Sequence, residues 1–490
     1  MKSIYSLIIM SLCAAVAATA QPLVQQTNIA LTSINLRTAQ AVVVGRSVFA
    51  SHPAGTAVVR FDGTLYADSG DRITIAASNT PDWGLNDGNV SVKVADPSTQ
   101  CRSFSHTRVY NVMAGTDTFY AVAQNYVDQL GTGVGSIYGH LTVEFFQSAA
   151  PAVGTSNINW SGDLSSGQKR ADSVVANSAP IGKAFVHMDG QVYSDPGDRI
   201  VLTANYAPSW LVDAGSVAFM AVSNTNKYSP FTHSRVFDIT GNPNTFYAMG
   251  TNVVDQGGSG YAYVYGNISA EFFPTGSGTS VDNIDVVRQG LNVRGGAVAL
   301  DSLSVNAPFA GKMLVQFDGY ITSTVGDNIV LAASPTRHWN INEGCVNVAA
   351  LSHANPFNVF SHSVLVSVGP GNHKFYAVAE NYVYTAGAGT MDIAANFSVK
   401  YFPDAGVGVN DVAADKNFSI YPNPAQNNMI VLFPKLLDEM QTIEISDMTG
   451  RNLVTTEAHG VDQVQINLSS LPVGMYLVRC NGVVRKLVKE

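Results

Sequence analysis

Several residue types recur in this chain at fixed spacing in patterns that can do chemistry. Asp68 and Asp71 flank Ser-Gly, and Asp195 and Asp198 flank Pro-Gly. Two carboxylates on one tight turn can supply oxygens to Ca²⁺, the one cofactor these residues suggest. The third occurrence pairs Thr324 with Asp327 and so lacks the first carboxylate. Asp and Gly are equally the residues of a plain β-turn, which is the favoured reading here. Trp83, Trp210 and Trp339 sit in "PDWGLNDG", "PSWLVDAG" and "RHWNINEG". A loop tryptophan beside Asp, Asn or Glu can stack on a sugar face while its neighbours bind hydroxyls. It can also plug the end of a β-sandwich. The tryptophan recurs while its neighbours vary, which favours packing.

Two further series carry polar groups. His106, His233 and His362 each follow a hydroxyl residue: Ser105, Thr232 and Ser361. Neighbours on a strand point to opposite faces, so these pairs do not form a nucleophile–base dyad. A histidine hydrogen-bonded at the start of a strand is expected instead. Asp62, Asp189 and Asp318 lie in "FDG", "MDG" and "FDG" and are expected to fix hairpin turns. The chain has no G-x-S-x-G, H-E-x-x-H or P-loop, and no catalytic residues are expected.

These residues recur because the chain repeats itself. Trp83 and Trp210 are 127 residues apart, and Trp210 and Trp339 are 129 apart. The histidine series shows the same two spacings. "TFYAVAQNYV" (118–127) returns as "TFYAMGTNVV" (245–254) and "KFYAVAENYV" (374–383). So long a period exceeds that of solenoid repeats and makes each copy a domain. The landmarks set the copies at 28–147, 157–274 and 283–403. Runs such as "GDRITIAAS" are rich in β-branched residues, and no long amphipathic helical pattern separates them. In "TFYAVAQNYV" both alternating faces are largely apolar, as in a strand inside a sandwich. The expected fold is all-β: three tandem antiparallel, jelly-roll-like sandwiches and a small C-terminal β-sandwich.

The repeats' Gly-Asp before an alternating strand, and their closing aromatic-Gly strand, resemble the globular heads of the tumour-necrosis-factor and complement class. That resemblance implies two alternatives for this chain. The three copies pack as a pseudo-trimer, or they hang as beads on a string.

Composition bounds the setting. Charged residues make up 13% of the 490, about half the usual share, while 46% are hydrophobic and 43 are Gly. A net charge of −9 with no opposing basic block excludes nucleic acid as an expected partner. Lys2, the apolar run from Ile4 to Val16 and Ala18-Thr19-Ala20 read as a signal peptide over 1–20. Cys101, Cys345 and Cys480 are too few and too scattered for a disulfide framework or a zinc site.

After Pro403 a small polar linker (404–417) leads to short strands broken by Asn-Pro, Thr-Gly and Pro-Val-Gly turns. Ordered motifs follow: Tyr421-Pro422-Asn423-Pro424, then Asp447-Met448-Thr449-Gly450-Arg451, then Leu471-Pro472-Val473-Gly474-Met475-Tyr476. The chain ends on a basic run through Arg485, Lys486 and Lys489. Residues 418–490 resemble the type A C-terminal sorting domain of type IX secretion cargo. The resemblance implies recognition by that secretion machinery and passage across the outer membrane. It also implies removal of the domain, with release or anchoring to surface lipopolysaccharide.

Together these readings predict a secreted or cell-surface, non-enzymatic protein. Its repeats would serve adhesion or multivalent binding of a polysaccharide or cell-surface ligand. A structural surface coat is the alternative, with a hydrolase behind it.

Overall fold

A strand buried on both faces must satisfy two interiors with alternate residues, and this requirement organises each repeat. The computed structural model of the protein describes residues 23–38, 40–68, 71–82, 90–93, 101–127, 132–147, 153–176, 181–195, 197–208, 217–220, 228–240, 244–254, 259–324, 326–339, 346–349, 357–383, 389–404, 418–421, 423–433, 440–447, 451–480 and 483–490. The signal-peptide segment, the linker after Asp404, Trp83, Trp210 and Cys345 lie outside the described residues.

The first repeat holds β1 (Leu23–Asn35), β2 (Val42–His52), β3 (Gly55–Tyr66), β4 (Arg72–Ser78), β5 (Val90–Lys93), β6 (Cys101–Val112), β7 (Gly115–Val127) and β8 (Val134–Gln147). Its two sheets run β1-β8-β3-β6 and β2-β7-β4-β5, all antiparallel. Sequence neighbours thus lie in opposite sheets for most of the chain, which is jelly-roll topology.

The second repeat follows the same order. It contains β9 (Val153–Asp163), β10 (Lys169–Ala176), β11 (Gly182–Tyr193), β12 (Arg199–Asn205), β13 (Val217–Met220), β14 (Tyr228–Ile239), β15 (Asn244–Val254) and β16 (Tyr261–Pro274). The third contains β17 (Ser280–Asn292), β18 (Val298–Ala307), β19 (Gly311–Ser323), β20 (Asn328–Ser334), β21 (Val346–Ala349), β22 (Phe357–Val368), β23 (Gly371–Val383) and β24 (Thr390–Pro403). Their sheets repeat the strand order of the first. Each repeat begins several residues before its first recurring landmark, because the first strand is an edge strand whose sequence is free to vary.

Residues 1–404 form one compact unit, so the pseudo-trimer is the alternative realised. The β1-β8-β3-β6 sheet and its counterparts turn one face to the sandwich core and the other to a shared seam. On β3, Ala57, Val59, Phe61 and Leu65 enter the core, while Val58, Arg60, Asp62 and Thr64 face away from it and are also buried. "FDG" is therefore mid-strand, and Asp62, Asp189 and Asp318 do not make hairpin turns. The glycine is needed for close strand approach: a Cβ on Gly63 would strike the Tyr138 carbonyl, and one on Gly190 the Tyr265 carbonyl.

The second unit is separate. It packs a three-stranded sheet, β25 (Ser419–Tyr421), β26 (Asn428–Leu432) and β29 (Gln463–Asn467), with a four-stranded one. The latter contains β27 (Gln441–Asp447), β28 (Asn452–Ala458), β30 (Gly474–Cys480) and β31 (Val483–Lys489). Met429, Val431, Ile443, Ile445, Val478 and Leu487 fill the core between them.

Asn423 ties this unit's first segment to its last strand. Its Nδ2 donates to the Lys486 carbonyl at 2.7 Å, and its Oδ1 accepts from the Val488 amide at 2.9 Å. Ala425 continues the pairing, donating its amide to Val488 and accepting from Glu490. Asn423→Ala is expected to remove two hydrogen bonds and destabilise this unit by about 1–3 kcal/mol. Amide exchange of β31 should speed up first, and unchanged protection there would refute the assignment.

Candidate functional site

The mid-strand aspartates Asp62, Asp189 and Asp318 and the hydroxyl residues of β6, β14 and β22 converge on the seam, where they close a ring. Ser105 Oγ of the first repeat donates to Asp189 Oδ2 of the second at 3.1 Å. Ser234 of the second donates to Asp318 Oδ2 of the third at 2.8 Å. Ser363 of the third donates to Asp62 Oδ1 of the first at 2.7 Å. All six residues are at most 2% exposed. Two further links run the same way further out: Lys183 Nζ reaches Asp282 Oδ1 at 2.6 Å, and Lys312 Nζ reaches the Val24 carbonyl at 3.0 Å.

Two to four residues nearer the start of β3 the seam becomes ionic. Glu144, Glu271 and Lys400 occupy equivalent positions on β8, β16 and β24. Lys400 Nζ lies 3.0 Å from Glu144 Oε2 and 2.5 Å from Glu271 Oε2, all three side chains being at most 1% exposed. The ammonium also sits 3.9 Å above the Phe185 ring centre. Arg60, equally buried, donates from Nε to Thr107 at 3.2 Å. Burial opposes the Arg60 charge, but Glu144, Glu271, Asp318 and Asp62 more than offset it and raise its pKa. Val58, Phe185 and Leu314, in register with Glu144, Glu271 and Lys400, join Phe146, Phe273 and Phe402 in an apolar cluster shared by the three repeats.

These environments set protonation. Burial lifts the Asp62 carboxyl to about 7, against the hydrogen bond from Ser363. Glu271 is likewise raised, by burial and then by Glu144. Two buried carboxylates share one ammonium there, so a proton on one relieves their repulsion. Burial also works against ionised Asp189, yet hydrogen bonds from His187 and Thr107 hold it well below the usual carboxylate range. Burial and then Arg60 push His187 down, and its Nε2 lies 3.0 Å from Asp189 Oδ2. Burial and His362 push His140 down to about 3.

The recurring histidines sit mid-strand in the sandwich interior, not at a strand start. His106 Nδ1 accepts the Ala77 amide at 2.9 Å, and His362 Nδ1 accepts the Ala333 amide at the same distance. Among the described residues β5 pairs with β4 as far as Ile75, and β21 with β20 as far as Leu331. The next amide pointing that way, Ala77 or Ala333, takes its partner from the facing sheet, where the histidine supplies the acceptor. His233 instead meets Thr203 Oγ1 at 3.1 Å.

The turn carboxylates have structural employment. Asp68 Oδ2 accepts the amide and hydroxyl of Thr132, at 2.5 and 2.7 Å. Asp195 does the same for Ser259, at 2.7 and 2.8 Å. Asp71 and Asp198 are buried behind them, and their amides close the turns onto the Asp68 and Asp195 carbonyls. Among the described residues no group of three or more His, Cys, Asp or Glu is placed to hold a metal ion. Trp339 lies against Val330 and Ala332 on the outer face of its sheet, its Nε1 donating to Glu380 at 2.6 Å. Cys101 and Cys480 are buried and form no disulfide.

In the C-terminal unit the motif residues are structural ties. Tyr476 Oη donates to the Pro472 carbonyl at 2.6 Å, and Gly474 opens β30 opposite Lys489. Arg451 bonds both Asp447 carboxylate oxygens, at 3.0 and 3.2 Å. Tyr421 is 43% exposed at the end of β25 and Asn423 binds β31, whereas Pro422 and Gly450 lie outside the described residues. Sequence motifs flagged these residues, but the seam ions Arg60, Glu144, Glu271 and Lys400 escaped notice. Their signal was present: "VEFF", "AEFF" and "VKYF" place a charge inside an otherwise apolar closing strand.

The class defined by this geometry is a head of three fused jelly rolls carried by a chain with a separate C-terminal sandwich. Residues 419–490 match the secretion system C-terminal sorting domain family. That match marks the chain for type IX export across the outer membrane, to the cell surface or beyond. No curated protein matches the chain. Among solved structures, one of Sulfolobus turreted icosahedral virus is similar at 10% identity and TM-score 0.17, covering 78% of this chain and 91% of that one. One of infectious bursal disease virus, Gt strain, is similar at 9% and 0.18, covering 79% and 82%. Dimeric latent PorU from Porphyromonas gingivalis is similar at 8% and 0.18, covering 97% and 88%. Likenesses this slight carry no argument about function.

Two predictions follow from the seam. Lys400→Met strands two buried glutamates and should destabilise the head by about 3–5 kcal/mol, with Glu144→Gln/Glu271→Gln recovering much of the loss. Thermal unfolding of the single and triple variants measures this, and an unperturbed single variant would refute it. The second concerns pH. Asp62 rises from 3.8 to about 7 on folding, so its share of stability is complete below its unfolded value and is lost as pH rises through the folded one. Glu271 acts in the same direction, while Asp189 loses its contribution only in acid, below the ordinary carboxylate range. The head's unfolding midpoint should therefore fall between about pH 5 and about pH 8, less steeply in Asp62→Asn. A flat profile across that window would overturn the reading.

Proposed function

We propose that this protein is a non-enzymatic, exported surface protein whose three-repeat head binds a ligand outside the cell, a polysaccharide or another surface component. The observation that carries this reading is the employment of the titratable groups. Asp62, Asp189, Asp318, Glu144, Glu271, Lys400 and Arg60 are all sealed in the seam, and His106 and His362 are spent on backbone amides. Acid–base chemistry needs such groups beside a substrate-accessible space. Here they hold three domains in one rigid frame, and a rigid frame lowers the entropic cost of binding at its surface.

A second reading, a surface coat, draws on Val43 and Val48 on β2 and Val175 on β10. These valines are 41%, 43% and 50% exposed on edge strands, which invite lateral pairing.

The test uses the full chain. Retention on intact cells or insoluble polysaccharides, without release of soluble sugar or peptide, supports binding. Product release that survives purification would overturn the non-enzymatic reading. Concentration-dependent assembly in light scattering with no retention would leave the coat.

A further inference from the structure

The second repeat carries a feature that its siblings lack. On β16, "YAYVY" puts Tyr261, Tyr263 and Tyr265 two residues apart, so they share the face opposite the sandwich core, while Ala262 and Val264 fill that core. Tyr193 lies beside Tyr263 in register on β11, and Tyr228 lies beside Tyr193 on β14. Five rings form one contiguous patch. Tyr193 meets Tyr228 at 5.0 Å and Tyr263 at 5.6 Å, Tyr261 meets Tyr263 at 5.4 Å, and Tyr263 and Tyr265 are parallel within 7° at 6.4 Å. Tyr261 and Tyr263 are 41% and 36% exposed. The equivalents of Tyr261, Tyr263 and Tyr265 are Val134, Ser136 and Tyr138 in the first repeat, and Thr390, Asp392 and Ala394 in the third.

The flank of the patch is polar and almost uncharged. Edge strand β9 sets Asp163 beside Tyr261, Ser161 beside Tyr263 and Asn159 beside Tyr265. All three are exposed, and registered partners share a face. The single charge among them, Asp163, is engaged by the Ser165 amide and hydroxyl at 2.7 and 2.6 Å. On the other side Arg72 of the first repeat stacks on Tyr228, 4.1 Å from the ring centre, so that rim is already closed. With one tied-back carboxylate and no cation among these flank residues, the flank does not select phosphate or carboxylate. Exposed rings beside amides and hydroxyls match a ligand with apolar C–H faces and many hydroxyls.

We infer that the tyrosine face of the second repeat, centred on Tyr261 and Tyr263 and flanked by Asn159 and Ser161, is a binding site for a neutral polysaccharide. The inference rests on the binding function proposed above and names its site.

The test measures the full chain and the Tyr261→Ala/Tyr263→Ala variant on insoluble neutral glycans (cellulose, xylan, β-1,3-glucan, chitin), on anionic alginate beads and on intact cells. Circular dichroism and melting check that the variant folds, and Phe309→Ala, another exposed aromatic, serves as control. Expected are retention on at least one neutral glycan, insensitive to high salt, and a loss of about tenfold or more in affinity in the double variant only. Should the double variant destabilise the head, Asn159→Ala/Ser161→Ala gives the same readout from the polar flank. Undiminished binding by both double variants overturns this site but leaves the binding function standing. So does retention on alginate or cells alone. Failure to bind any of these surfaces overturns site and function together.

Discussion

Everything in the head depends on one constraint: each repeat has a sheet with no solvent-facing side at mid-strand. β3 is buried along nearly its whole length, although only every second residue reaches the sandwich core. The other residues must bury polar atoms, and a buried polar atom without a partner costs about 1–3 kcal/mol. The ring from Ser105 to Asp189, Ser234 to Asp318 and Ser363 to Asp62 answers that demand with partners from the next repeat. No repeat can satisfy its own seam alone. The fold of each copy and the closure of the three are thus one problem, with the strand-by-strand layering of apolar, ionic and hydrogen-bonded rows as its solution.

Covalent fusion changes what such a seam can contain. In a symmetric trimer one residue appears three times at the axis, so a buried glutamate would meet two copies of itself. Here the equivalent positions hold Glu144, Glu271 and Lys400, an arrangement closed to a symmetric trimer of identical chains. Arg60, His187 and Gln316 show the same divergence on β3, β11 and β19. Each repeat is consequently fitted to its own place in the ring. Buried charge of this kind is a weak source of stability but penalises wrong pairing severely.

The repeat, the jelly-roll class and the C-terminal unit were legible because they rest on local pattern: landmark spacing, period-two alternation and ordered turn motifs. The seam was not, because alternation shows that a strand is buried on two faces without showing what covers the second. Hence "FDG" read as a turn: Asp and Gly next to each other are turn residues by local chemistry, and only the register with Ser105 and Gly139 reveals a strand crossing. The recurring histidine was misplaced for a related reason. Its partner is the Ala77 amide of the facing sheet, a contact between strands that no spacing in the sequence encodes. Trp339 departs from the expected plug at the end of a sandwich, for it lies on Val330 and Ala332 on the outer face of its sheet.

Divergence at the seam has a counterpart at the surface. Residues that build the ring recur in kind, whereas the exposed ends of the same strands do not: Val134, Tyr261 and Thr390 are one position in three chemistries. If triplication served avidity, the exposed positions would be the ones kept alike, since avidity requires each copy to engage the same ligand. The opposite pattern holds among these residues. Triplication in this chain is better understood as a way of building a rigid frame large enough to bury its own polar seam. The surface of each repeat is then free to specialise, and the tyrosines of the second repeat are what such freedom produces.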